Sequence, residues 1–194
     1  MRARPLVVVA ALALLGPSAA AQSRRRPPSA ASIPSRTFAL LRVVGAGDLA
    51  RSDRGADGAP WSVDVHAGVR VLVPTAPAGR YWSLGADVGV SLRPAGDAPT
   101  RWLGGVGVGY GNVWVMAQWW PRLVVGELGG ETAVGVRNTL AGCTFLGLAC
   151  LEASHQHLWR DGGGAHELRV SFGLDLGMVA QLLVQFAEIG RAHV

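Results

Sequence analysis

The segment from Leu151 to His157 holds the side chains best suited to hydrolytic chemistry. Ser, His and Glu are the groups that carry out acyl transfer when a histidine base deprotonates a serine. The segment alternates like a β-strand, in which neighbouring residues face opposite sides. Glu152 and Ser154 then share one face. His155 and His157 lie on the other, so the base is turned away from the nucleophile. We therefore predict no catalytic residues, with a lipid-modifying barrel enzyme as the alternative.

The same two histidines raise the question of a metal site, because imidazole is a common ligand of transition metals. A carboxylate or His66 would have to complete the set, and His66 falls on the polar face of its own strand. We predict polar or interfacial histidines and no bound metal. The glycine-rich run 104–109 resembles a nucleotide-binding pattern, but no helix follows it, so we expect a bent or closely packed strand and no cofactor.

Cys143 and Cys150 are the two cysteines of the chain. In an oxidising compartment they are candidates for a disulfide that closes a short loop. Two buried thiols are the alternative. A metal site at these cysteines is disfavoured because no His or carboxylate stands at a suitable spacing.

The elements that must position these residues alternate with period two, segment after segment, between turn residues. In 61–73 every odd position is apolar, and 81–92 and 168–178 show the same pattern on their even positions. The predicted strands are Thr37–Val44, Trp61–Val73, Tyr81–Leu92, Trp102–Tyr110, Val113–Leu123, Thr132–Asn138, Leu148–Trp159 and Leu168–Met178. These strands predict an all-β fold, an antiparallel up-and-down barrel of about eight strands over 36–187. The longest connection is predicted at 45–60.

The face opposite the apolar one consists of Gly, Ser and Ala with single charges of both signs. Small residues suit a crowded concave interior, where opposite charges can pair. We predict that these charges form a network in the lumen: Asp64, Arg70, Asp87, Arg137, Glu152, Arg169 and Asp175. Most of the seven tryptophans lie at strand ends, as an aromatic girdle at a membrane interface requires. Core tryptophans inside a soluble β-barrel or sandwich are the alternative.

The N-terminus predicts export. Arg2 and Arg4 precede a short apolar stretch and the small residues Ala19 to Ala21, which is typical of a signal peptide over 1–21. A flexible basic linker rich in Pro and Ser is predicted over 22–35. Charged residues make up only 16% of the chain, and 37–187 holds 11 Arg against 12 Asp and Glu. A near-neutral domain gives no reason to expect a nucleic-acid partner.

The C-terminus has an unusual feature. Ile189 to Val194 are the residues that the string ATC GGA AGA GCA CAC GTC would encode, and that string resembles a sequencing-library adapter. We expect residues 189–194 to be an adapter-derived tail and the gene to continue past Ala187. The preceding segment 178–187 fits either a continued strand or one face of a helix, and we favour a strand that continues partway.

These features together resemble the small outer-membrane β-barrel proteins of Gram-negative bacteria. The resemblance lies in the signal peptide, the alternating strands and the turn spacing, and no motif points to a particular member. It implies a lipid-facing wall and a location in the outer membrane. We therefore expect a non-catalytic monomeric barrel with a filled lumen and exposed loops, in a structural or surface-interaction role. A soluble periplasmic binder of apolar ligands is a further alternative.

Overall fold

The computed structural model describes residues 35–51, 61–75, 79–93, 100–128, 131–161 and 163–191. The predicted signal peptide, all but the last residue of the predicted linker and residues 192–194 lie outside the described residues. So does most of the predicted loop 45–60.

Eight strands form a closed barrel in which each strand pairs antiparallel with its sequence neighbours and the last pairs with the first. The prediction of an all-β, antiparallel up-and-down barrel is confirmed. The strands are β1 (Arg36–Arg51), β2 (Trp61–Thr75), β3 (Arg80–Leu92), β4 (Arg101–Asn112), β5 (Val115–Leu128), β6 (Glu131–Thr144), β7 (Ala149–Arg160) and β8 (Gly163–Asp175).

The two ends of the barrel differ in their connections. The end with the connections 76–79, 113–114 and 145–148 is called the turn end here, and β1 begins and β8 ends there. The opposite end, with 52–60, 93–100, 129–130 and 161–162, is called the loop end. The predicted strands Thr132–Asn138 and Leu148–Trp159 leave a long connection over 139–147. The connection is in fact tight, because β6 continues to Thr144 and residues 145–147 form a single 3-10 turn.

The strand alternation separates two surfaces of opposite polarity. The outward positions of the described strands form the outer wall, which consists mainly of exposed Val, Leu, Phe and Trp. The inward positions form the lumen, which holds the buried polar and charged side chains. The barrel is therefore inverted relative to a water-soluble protein, in which apolar side chains fill the interior.

Apolar side chains occupy the lumen near both ends. At the turn end, Leu72 and Met116 pack with Ala141 and the two cysteines, and Leu146 from the 3-10 turn lies against them. At the loop end, a second cluster is formed by Leu103, Val124, Ala133, Leu158 and Ala165. The charged groups of the strand centres lie between these two clusters.

The chain leaves β8 as a helix, α1 (Leu176–Arg191), so the expectation of a continued strand over 178–187 was wrong. β7 begins at Ala149, opposite Leu174, so a longer β8 would have no β7 residue to pair with beyond that point. Asp175 instead caps the new helix by accepting a hydrogen bond from the Met178 amide at 3.2 Å. No helix among the described residues is long and apolar enough to cross a membrane.

α1 packs against a part of β1 that β8 does not reach. β8 ends at Asp175, opposite Arg42, whereas β1 begins six residues earlier at Arg36. Gly177 lies so close to the Ala39 carbonyl that a side chain there would collide with it. The helix therefore covers an edge of β1 that would otherwise have only β2 as its partner.

Candidate functional site

The lumen contains every residue of the predicted charge network, and each of the seven side chains is buried. Their partners are mainly charges of opposite sign on other strands. Six further charged groups, absent from the prediction, join them: Arg42, Asp48, Arg93, Arg101, Arg122 and Glu167. Among the described residues the lumen thus holds seven arginines and six carboxylates.

Asp64 lies at the centre of the network. Arg137 Nη1 is 2.5 Å from Asp64 Oδ2, and Arg169 Nη1 is 3.4 Å from the same oxygen. Arg137 also donates from Nε to Gln156 Oε1 at 2.8 Å. One carboxylate from β2 therefore joins β6 and β8 across the barrel, and these charges are tolerated because they are paired.

Asp87 forms the second group with Arg122, which donates to the carboxylate from Nη2 at 2.7 Å and from Nε at 3.0 Å. This two-point contact is the strongest geometry available to an arginine and a carboxylate. His66 Nδ1 lies 3.6 Å from Asp87 Oδ2. The guanidinium carbon of Arg122 is 4.9 Å from the ring centre of Trp120, a cation–π distance.

Near the turn end, Arg42 pairs with Glu152, and Arg70 Nη2 lies 3.6 Å from Asp175 Oδ2. Arg70 also donates to the Leu146 carbonyl at 3.1 Å, which fastens the 3-10 turn to the lumen.

Near the loop end, Glu167 accepts from Arg101 at 2.7 Å and from Arg93 at 3.1 Å. Arg93 Nη2 is also 3.1 Å from Asp48 Oδ2. Ion pairs therefore extend along most of the lumen.

Cys143 and Cys150 form a disulfide. They stand directly opposite each other on β6 and β7, on the lumenal side. The bond closes the hairpin around the 3-10 turn at the turn end of the barrel. The disulfide has a structural role, because both sulfurs are buried within the apolar cluster at the turn end.

Six of the tryptophans lie on the outer wall or its rim, and one does not. Trp61, Trp102 and Trp159 stand near the loop end, whereas Trp82, Trp114 and Trp119 stand nearer the turn end. Trp120 does not belong to this girdle. Trp120 is 1% exposed and points into the lumen, because it follows the outward-facing Trp119 in the same strand.

The residues of the hydrolytic segment are separated as the alternation predicts. Ser154 and Glu152 are buried in the lumen, where Glu152 is paired with Arg42. His155 and His157 lie on the outer wall. No hydrogen bond joins Ser154 to a histidine among the described side chains.

His166 is a residue that the sequence analysis did not single out. The hairpin between β7 and β8 places it directly opposite His157 on the outer wall. Their Nδ1 atoms are 3.0 Å apart, and His155 Nε2 lies 3.3 Å from His166 Nδ1. The register pairs Arg160 with Gly163, so counting back three residues along each strand from that pair leads to His157 and His166.

Comparison with protein-family models, with curated proteins and with solved structures finds no match to this chain. The functional assignment therefore rests on the polarity, contacts and topology described above.

Proposed function

We propose that this protein is a non-catalytic outer-membrane β-barrel whose filled lumen is structural and whose loop end faces the outside of the cell. The observation that carries the proposal is the inverted polarity of the barrel. Apolar side chains cover the outer wall, and paired charges fill the lumen. This is the arrangement that lipid favours and water opposes, because a strand in a membrane barrel alternates apolar-out and polar-in.

The tryptophans support the same location. On β4, Trp102 and Tyr110 are eight residues apart, and Tyr110 packs against Trp82 at a centroid distance of 4.9 Å. At about 3.4 Å per residue and a tilt of about 40°, the two aromatic levels are separated by roughly 20 Å. That separation is close to the apolar band of an outer-membrane barrel.

The lumen supports a structural role over a conducting one. Trp120, the arginines and the apolar clusters at both ends project into an eight-stranded barrel, whose interior is only wide enough for side chains. A soluble binder of apolar ligands would need its apolar faces inside, and here they lie outside. The function is therefore expected in the loops, which at 52–60 and 94–99 lie outside the described residues.

Two arginine substitutions of equal exposure test the lipid-facing wall. Val106 is 61% exposed at the middle of the wall, and Leu49 is 65% exposed near the loop-end rim. In lipid, Val106→Arg is expected to lower the free energy of unfolding by about 2–4 kcal/mol, whereas Leu49→Arg costs about 0–1 kcal/mol near the interface. Urea unfolding in lipid vesicles measures both values.

On a water-facing wall both substitutions would be nearly neutral, within about 0.5 kcal/mol, because an exposed surface position tolerates arginine. Equal and small effects at 106 and 49 would therefore contradict the proposal. A large cost at Val106 alone would support it.

A further inference from the structure

The outer wall has one polar interruption. Apart from the first two and the last two residues of each described strand, the outward-facing residues are apolar or glycine except for Asn138 and three histidines, His155, His157 and His166. Asn138 on β6 stands directly opposite His155 on β7. Polar and ionisable groups on a lipid-facing surface are costly, so their clustering at one place points to a function.

Metal ligands are held at characteristic separations. Two nitrogens bound to one ion at about 2.0–2.1 Å, with an angle between 90° and 110°, are about 2.9–3.4 Å apart. The Nδ1 atoms of His157 and His166 are 3.0 Å apart, and His166 Nδ1 is 3.3 Å from His155 Nε2. Both separations fall within the range expected of ligands that share one cation.

Hydrogen bonding among the rings accounts for only part of this arrangement. An imidazole Nδ1 carries either one proton or one lone pair. His166 Nδ1 faces a nitrogen of His157 and a nitrogen of His155, so it can form a hydrogen bond with only one of them at a time. A cation would instead be bound by the lone pairs of neutral rings.

We propose that His157 and His166 bind one divalent late transition-metal ion, of the Cu²⁺, Ni²⁺ or Zn²⁺ class that prefers imidazole. No group of three side chains among the described residues already encloses a cation position. The site is therefore a cross-strand pair, which His155 joins by rotation of its ring. The remaining positions are open to water or an external ligand. The cost of polar groups in lipid rests on the proposed membrane location, whereas the separations between the ring nitrogens do not depend on it.

The proposal departs from the prediction of no metal for a specific reason. His155 and His157 were considered with His66 as the third ligand, and His66 is in fact buried in the lumen beside Asp87. The ligand that completes the site is His166, which comes from the next strand through the β7–β8 register.

The test is a titration of the purified, untagged full chain with Cu²⁺, followed by electron paramagnetic resonance. One equivalent is expected to show hyperfine splitting from at least two imidazole nitrogens. His157→Gln and His166→Gln are each expected to abolish that signal. His155→Gln is expected to weaken binding without removing it. His66→Gln, which changes a histidine buried in the lumen, is the control and should leave the signal unchanged.

The proposal is overturned if His157→Gln and His166→Gln keep the wild-type signal, or if His66→Gln removes it. Circular dichroism of each variant verifies the barrel. A second measurement needs no substitution: Cu²⁺ should protect His157 and His166 from carbethoxylation by diethyl pyrocarbonate. Equal modification of these two histidines with and without Cu²⁺ would also overturn the proposal.

Discussion

The indole of Trp120 occupies the space that a side chain at Gly107 would need. A Cβ at Gly107 would collide with the ring carbons, and one at the neighbouring Gly85 would lie 2.6 Å from Cη2 of the same ring. Gly85 and Gly107 stand opposite each other on β3 and β4. Two glycines on adjacent strands therefore form a niche that holds the largest side chain of the lumen, and Trp120 Nε1 donates to Gln118 Oε1 at 3.0 Å.

Gly107→Ala is expected to destabilise the barrel by about 1–3 kcal/mol, because the added methyl group overpacks the niche. Gly142→Ala is the matched control, since a Cβ at Gly142 meets nothing within 4 Å. The control is expected to be neutral or slightly stabilising. Urea unfolding followed by tryptophan fluorescence measures both. Equal effects at the two glycines would show that Trp120 does not depend on the niche.

Glu152→Gln is expected to cost about 3–5 kcal/mol, because it leaves the buried Arg42 guanidinium without its opposite charge. The double substitution Arg42→Met with Glu152→Met should recover most of that loss, since an apolar pair needs no partner. Glu131→Gln, an exposed change at the loop end, is the control. If the double variant is no more stable than Glu152→Gln, the cost does not come from the unpaired charge.

Removal of the disulfide by Cys143→Ser with Cys150→Ser is expected to lower the free energy of unfolding by roughly 2.5 kcal/mol. This value is the free-energy cost, at 25 °C, of the chain entropy that is lost when a loop of about eight residues is closed. Reduction of the wild-type protein should give a similar loss without further effect on the double variant. A wild-type unfolding curve that a reductant leaves unchanged would contradict the expectation.

Gly177→Val is expected to destabilise the junction of α1 with β1, because the new side chain would collide with the Ala39 carbonyl. Ala180→Val, an exposed change on the same helix, is the control. Hydrogen exchange should report faster exchange of the helix amides in Gly177→Val alone. Unaltered exchange there would mean that α1 does not depend on contact with β1.

Period-two alternation was sufficient to predict the barrel and its strand number, because an apolar face of seven consecutive odd positions in 61–73 has no other regular structure that it fits. The strand ends were less predictable. β1 was expected to end at Val44 but runs to Arg51, because Gly45 and Gly47 pair with Phe172 and Val170 on β8. Such pairing depends on a distant strand, which local composition does not reveal.

The sequence also did not reveal which charged side chains pair with each other in the lumen. Asp64 on β2 and Arg137 on β6 are seventy-three residues apart and meet only because the barrel closes. Alternation identifies which side chains face inward, but the register of strands on opposite sides decides which charges pair. The inward position of Trp120 could have been predicted from the sequence, because two adjacent tryptophans in one strand must face opposite sides. The glycines at 105, 107 and 109 mark the side that has room for the indole.

The segment 178–187 satisfied both periodicities, so the sequence alone did not distinguish a strand from a helix. The segment forms a helix because residues after Leu174 have no partner on β7 and because Asp175 caps the first turn of α1.

Fractionation of cells that express the full chain tests the central claim most directly, combined with electrophoresis of heated and unheated samples in detergent. The account predicts recovery in the outer membrane and a mobility shift on heating, because a lipid-facing barrel stays folded in detergent until it is heated. Recovery as a soluble periplasmic protein without such a shift would contradict it.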